Sequence, residues 1–156
     1  MDYLVEKASI KNLDEILSLF KNTIEKTCCE DYNKSQISAW ISSVENRERW
    51  IHKIKNQYFI IVKTKNLIVG FGSLEQDYID FLYVHHNFLR KGIASILYES
   101  LKKESQKLGF IKLTTHSSKT AFPFFASKGF QLIKENTITR KGVEISNFEM
   151  KKVISY

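Results

Sequence analysis

Three apolar runs follow one another with almost nothing between them, and that spacing constrains the fold more than any other feature of the chain. Tyr58-Phe59-Ile60-Ile61-Val62 is rich in β-branched and aromatic residues and short enough to be a strand. Lys65-Asn66 turns it into Leu67 to Leu74, and Gln76-Asp77 separates that run from Tyr78 to Val84. A parallel connection needs about a dozen residues, usually a helix, so these short links dictate an antiparallel meander.

The rest of the chain alternates around this meander. Tyr3 to Ala8 reads as an opening or edge strand. From Asn12 the apolar positions Leu13, Ile16, Leu17, Phe20 and Ile24 mark one buried helix face. Ile37, Trp40, Ile41 and Val44 mark a second helical stretch, which either continues or breaks before Trp50, Ile51 and Ile54. After the meander a helix is expected from about Lys91 to Leu108, ended by Gly109. A strand over Phe110 to Thr115 follows that crossover and should run parallel to its predecessor. A helix over about Lys119 to Lys128 has Ser118 as its N-cap and Gly129 as its stop. Two last strands, Phe130 to Thr139 and Glu144 to Lys152, form a hairpin around Arg140-Lys141-Gly142. The order β-α-α-β-β-β-α-β-α-β-β describes an α/β (α+β) domain spanning 1–156, a mixed sheet of six to seven strands flanked by about four helices.

Composition narrows the function classes. No apolar run approaches the roughly 20 residues that cross a bilayer, and the start lacks a secretion-signal pattern. The expected location is therefore cytoplasmic, with no membrane partner. Cys28 and Cys29 are adjacent, without metal-ligand spacing, and read as reduced thiols near a helix end; no metal is expected. The net charge of +7 comes from scattered lysines rather than a basic block. Tyr58 and Phe59 fit a buried strand better than a nucleic-acid surface, and no nucleic-acid partner is expected.

The segment Tyr83 to Ser95 joins a strand directly to a helix, and Arg90, Lys91, Gly92 and Ala94 crowd the junction. The first N–H groups of a helix have no partners within it and sit at the positive end of its dipole. Small residues at 92 and 94 allow close approach to that backbone, and Gly92 tolerates unusual dihedrals. The result is an anion cradle suited to a pyrophosphate, with Arg90 and Lys91 adding charge.

Val84-x-His86-x-x-Leu89-Arg90-Lys91-Gly92-Ile93-Ala94 resembles the coenzyme A-binding motif of the GNAT superfamily of N-acyltransferases, V-x-P-x-x-Q/R-x-x-G-x-G/A. Ser118-x-x-Ala121-x-Pro123-Phe124-Phe125-x-x-x-Gly129-Phe130 resembles the second family motif, A-x-x-F-Y-x-x-x-G-F. Tyr32 followed by Trp40, and Asn147 ahead of Met150, also look like a bacterial branch of the superfamily. The resemblance implies the GNAT fold, acetyl-CoA (coenzyme A) as co-substrate, and residue roles. The Leu82-Tyr83-Val84 segment, where the strand splays from its neighbour, would pair through Leu82 and Val84 with the pantetheine arm. Leu89 and the backbone from Arg90 through Lys91, Gly92, Ile93, Ala94 and Ser95 would hold the pyrophosphate. Phe124 and Phe125 would flank the thioester, and Ser118 the cofactor arm. Leu89 stands where the family has Gln or Arg, and His86 where it often has proline. Phe125 replaces a tyrosine often proposed as the acid, and a phenyl ring cannot donate a proton.

The implied activity is transfer of an acetyl group from acetyl-CoA to a primary amine of a small molecule or a protein, by direct attack in a ternary complex. The amine must lose a proton, and a carboxylate can take it. Asp80, alternating with Leu82 and Val84, is expected on the same cleft face; Glu75 at the preceding turn is the second candidate base. Tyr32, Trp40 and His116 are candidates to line the acceptor pocket. The departures at Leu89 and Phe125 leave a second reading open, a non-catalytic module that binds or senses acyl-CoA. The last strands of such folds often pair between chains, so a homodimer is one option.

Overall fold

In the computed structural model, which describes residues 2–154, β1 (Leu4–Lys7) is an edge strand and pairs antiparallel with β2 (Tyr58–Thr64). The meander continues antiparallel through β3 (Leu67–Glu75) and β4 (Tyr78–Val84). Next comes β5 (Lys112–Ser117), parallel to β4 as a crossover requires. The hairpin strands β6 (Gln131–Arg140) and β7 (Val143–Val153) complete a seven-stranded sheet in the order β1-β2-β3-β4-β5-β7-β6.

Helices cover both faces. On one, α1 (Leu13–Thr27), α2 (Lys34–Ile41) and α3 (Arg47–Asn56) bury Ile16, Phe20, Trp50 and Ile54 against Phe59, Phe71 and Ile145. The ambiguous second helical stretch does break. A 3-10 turn over Ser42–Glu45 follows α2, and the Asn46 side chain then accepts from the Arg49 N–H to start α3. Trp50 stacks on Phe81 at 4.7 Å with the rings 2° from parallel, fixing α3 against β4.

The other face carries α4 (Ile93–Lys107) and α5 (Phe122–Ser127), whose Leu97, Leu101 and Phe125 pack with Leu113 and Met150. Both are shorter than the sequence suggests. Arg90 (φ 60°) and Gly92 (φ 82°) are left-handed, so regular helix begins only at Ile93. Before α5, the Ser118 hydroxyl accepts from the Ala121 N–H in a capped turn, and Pro123 occupies the first helical turn.

Two glycines set the height of α4. A Cβ on Gly70 would lie 2.8 Å from Ile93 Cγ2 and 3.2 Å from both Leu97 Cδ1 and the Tyr83 carbonyl oxygen. One on Gly72 would meet Leu101 Cδ1 at 3.3 Å. The missing side chains let the first turn of α4 rest directly on β3, beside the end of β4.

Candidate active site

β4 and β5 pair only at Tyr78 with Thr114 and Ile79 with Thr115. Beyond those residues they part, and Asp80 to Val84 has no strand partner on the β5 side. The His85 N–H donates to the Val69 carbonyl at 2.8 Å. Ladder alternation then directs the polar backbone of Tyr83 toward β3 and that of Leu82 and Val84 into the gap. The Thr23 hydroxyl of α1 donates to the Val84 carbonyl at 2.9 Å, which leaves the Val84 N–H facing the gap. An open strand edge inside a sheet is a ready partner for an extended, amide-bearing chain.

The N-terminus of α4 lies beside this gap. No side chain caps it, and the first helical N–H to find a backbone partner is that of Ile96, on the Gly92 carbonyl at 3.0 Å. The N–H groups of Ile93, Ala94 and Ser95 are thus the free donors of the first turn. Nothing lies within 4 Å of a Cβ built on Gly92, so the backbone there is open to an incoming group. Arg90 and Lys91 are exposed around it, with Leu89 beside them. Free N–H groups, the dipole and two cations fit a pyrophosphate.

A cleft of about 880 Å³ runs from this cradle through the gap to the opposite face of the sheet. On the α4 side it is lined by Leu82, Val84, Ala94, Ser118, Phe124 and Phe125. Phe125 is buried against Phe124 and Phe130.

Asp80 lines the cleft, but from the face covered by α1 to α3 rather than from the one shared by Leu82 and Val84. Ser73 pairs with Phe81 but Leu74 pairs with Ile79, so Asp80 is the extra residue of a β-bulge. The bulge shifts the alternation and turns Asp80 away from the face of Leu82 and Val84, toward α3. There its Oδ2 lies 2.6 Å from Lys53 Nζ and accepts from Gln57 Nε2 at 2.9 Å. Glu75 is exposed at the end of β3, accepts from Gln57 Nε2 at 3.1 Å, and does not line the cleft.

His116 does line it, with Nδ1 2.9 Å from the Tyr78 hydroxyl and Nε2 4.0 Å from Glu149 Oε1. Burial, and then the charge of Asp80, push the Tyr78 phenol up to about 12. Tyr78 therefore stays protonated at neutral pH and can donate. Tyr32 lines the cleft through its ring while its hydroxyl is fully employed. It donates to the Ser146 carbonyl at 2.8 Å and accepts from the Lys119 N–H at 2.9 Å, tying α2's leading loop to β7 and the turn before α5. Trp40 packs edge-on against it at 5.2 Å. Tyr83 is closed in by Phe20 and Phe71, and burial raises its phenol far above the ordinary range.

Residues 28–152 match the family described as the Acetyltransferase (GNAT) domain. This chain belongs to the GNAT acetyltransferase family. It is 31% identical over 140 residues to the uncharacterized N-acetyltransferase YafP of Escherichia coli (strain K12), covering 90% of this chain and 89% of that protein. Among solved structures, a GCN5-related N-acetyltransferase (Aminotransferase, Class-II) from Rhodopseudomonas palustris superposes with a TM-score of 0.95 at 26% identity, over 99% of this chain and 97% of that one. The PaiA N-acetyltransferase from Thermoplasma acidophilum, solved in complex with coenzyme A, has the same fold, with a TM-score of 0.81 at 19% identity over 98% and 99% of the two chains.

In this GNAT acetyltransferase, several cleft residues carry no signal in the sequence. Lys53 is one of many helix-surface lysines until the bulge brings Asp80 to it. Tyr78 reads only as a strand residue. Arg140 sits beside the Lys141-Gly142 turn and reads as part of a solvated hairpin tip. In the structure it lines the cleft, because the hairpin folds back over α2. Lys141 Nζ lies 4.0 Å from Glu45 Oε2, and Gln36 Nε2 donates to the Glu144 carbonyl at 3.1 Å.

Proposed function

We propose that this enzyme transfers the acetyl group of acetyl-CoA to a primary amine held on the α1–α3 face of the sheet, in a ternary complex. The opening between β4 and β5 beside the uncapped start of α4 carries this reading. It offers main-chain partners for an extended amide-bearing arm and, next to them, a cradle for its pyrophosphate. Acetyl-CoA supplies the activated thioester carbonyl.

The chain's own residues supply position and proton transfer. The Leu82 and Val84 amides orient the donor, and the Val84 N–H is available to polarise the carbonyl. The amine approaches from the other face of the same gap, which makes the attack effectively unimolecular. Asp80 and His116 both line the cleft, but Asp80 is held as the anion partner of Lys53 at 2.6 Å, whereas His116 is hydrogen-bonded to a neutral hydroxyl. His116 is the base we assign, acting through Tyr78: the Tyr78 oxygen takes the amine's proton as its own proton passes to His116 Nδ1, 2.9 Å away, leaving an imidazolium. Phe125 gives no proton, and the thiolate, a fairly good leaving group, departs without one from α5.

Calorimetric titration of acetyl-CoA into the native protein and into Gly92→Glu tests the donor site. Micromolar-range binding that is lost in the variant supports it; no binding by the native protein refutes it. Thiol release on addition of amines to the loaded protein separates an enzyme from a non-catalytic acyl-CoA binder.

A further inference from the structure

The acceptor half of the cleft contains polar groups that the protein itself leaves unmatched. Arg140 ends β6 on the same sheet face as Ile138 and, across the hairpin, Ile145 and Asn147. Its Nε is buried without a hydrogen-bond partner, and Arg140 forms no ion pair among the described residues. The amide oxygen of Asn147, which lines the same cleft, is also buried and unpartnered. A buried donor or acceptor without a partner is costly and calls for an explanation, and two of them lining one cleft fit a polar ligand.

The charges around them favour an anion. Lys53 is neutralised by Asp80 at 2.6 Å. Arg49, exposed at the cleft rim, forms no ion pair among the described residues either. Lys141 is partnered by Glu45 and Lys119 lies over the Tyr32 ring. Lys26 and Glu30, both exposed, line the cleft as well with opposite charges, and of the cations on this side Arg140 alone presents a buried N–H without a partner. A guanidinium fork matches a carboxylate in two parallel hydrogen bonds, and lowered solvent access strengthens the pair.

We propose that the acceptor of this enzyme is an amine that also bears a carboxylate, anchored by the Arg140 guanidinium, with the Asn147 amide oxygen receiving an N–H of the same molecule. This rests on the acetyl-transfer reading above and narrows its substrate class. Ile138, Ile145 and Trp40 supply the apolar wall between anchor and gap. The anchor holds the acceptor's far end on the hairpin so that its amine faces the opening between β4 and β5.

The test is a panel of matched acceptors assayed by thiol release from acetyl-CoA. It pairs amino acids with their carboxamides, γ-aminobutyrate with butylamine, and O-phosphoethanolamine with ethanolamine, and includes spermidine. Carboxylated members should exceed their neutral partners by at least tenfold in kcat/KM. Arg140→Ala should raise the KM for the carboxylated acceptor roughly 10- to 100-fold, the loss of one charge-assisted hydrogen-bonded anchor. The acetyl-CoA binding constant should stay the same, and Arg140→Lys should recover part of the loss. Preference for the phosphorylated amine would assign the anchor to phosphate and overturn the carboxylate. Preference for butylamine or spermidine, or a carboxylated acceptor whose KM ignores Arg140, would overturn the proposal while leaving acetyl transfer intact. Binding of acetyl-CoA with no transfer to any amine would overturn the enzymatic reading itself, and the acceptor class with it.

Discussion

Gly70 offers the sharpest test of how the donor cradle is held. Replacing it with alanine places a methyl carbon 2.8 Å from Ile93 Cγ2 and 3.2 Å from Leu97 Cδ1 and the Tyr83 carbonyl oxygen. The carbonyl belongs to the paired backbone of β3 and β4 and cannot retreat, so α4 must move. Overpacking of this kind costs about 1–3 kcal/mol. Reduced freedom of the unfolded chain returns about 0.4–1 kcal/mol when glycine becomes alanine. The net expectation is about 1–2 kcal/mol of destabilisation, a fall in Tm of roughly 2–8 °C for a chain of this size. Because Ile93 is the first residue of α4, the displacement falls on the turn that offers free N–H groups, and acetyl-CoA affinity should fall several-fold as well. A thermal melt and a calorimetric titration read the two effects. Ile93→Ala alone opens a cavity, but combined with Gly70→Ala it should cost less than the sum of the single changes. Strict additivity, or a Tm that rises in Gly70→Ala, would refute the claim that this glycine sets the height of α4.

Other outcomes follow from the same geometry. Tyr32→Phe should destabilise the fold by about 1–3 kcal/mol in denaturant unfolding, since two part-buried hydrogen bonds, to the Ser146 carbonyl and from the Lys119 N–H, are both lost. His116→Gln should lower kcat by about 10²-fold or more if His116 is the base, whereas Asp80→Asn should act mainly through Lys53 and lower stability; the reverse pattern would return the role of base to Asp80. Burial, and then the neighbouring His86, lower the pKa of His85 below 6.5, and its neutral Nδ1 accepts from the Asn87 N–H at 3.1 Å. A base with a depressed folded pKa contributes stability that is present above its unfolded value and lost as pH falls through the folded one. Melts of the native protein should therefore drop more steeply below pH 6.5 than those of His85→Asn, and parallel curves would dismiss the effect.

The meander was readable because Phe59-Ile60-Ile61-Val62 and its successors are β-branched, aromatic and joined by links too short for anything but hairpins. The strand-to-helix junction was readable because Gly92 and its basic neighbours sit where helix dipole and free donors coincide. The face taken by Asp80 was not readable, because alternation in a sequence assumes an unbroken ladder. A bulge appears only when β4 is laid against β3 and one residue is left over. Regular helix begins later than the residue pattern suggests for a related reason. Nothing in Arg90-Lys91 announces a left-handed residue three positions before regular helix begins. Arg140 was hidden because its value depends on where the hairpin folds back, a long-range outcome fixed by contacts with Gln36 and Glu45.

The opening between β4 and β5 also divides the two halves of the cleft by the kind of atom that would do the reading. On the donor side the chain offers mostly main-chain N–H and C=O groups, which every residue but proline possesses. A leucine at 89 or a phenylalanine at 125 can therefore drift in without erasing that vocabulary. On the side we propose for the acceptor, the polar lining comes from side chains, Arg140, Asn147 and His116. Single substitutions in the hairpin should therefore change which acceptor is taken while leaving acetyl-CoA binding intact.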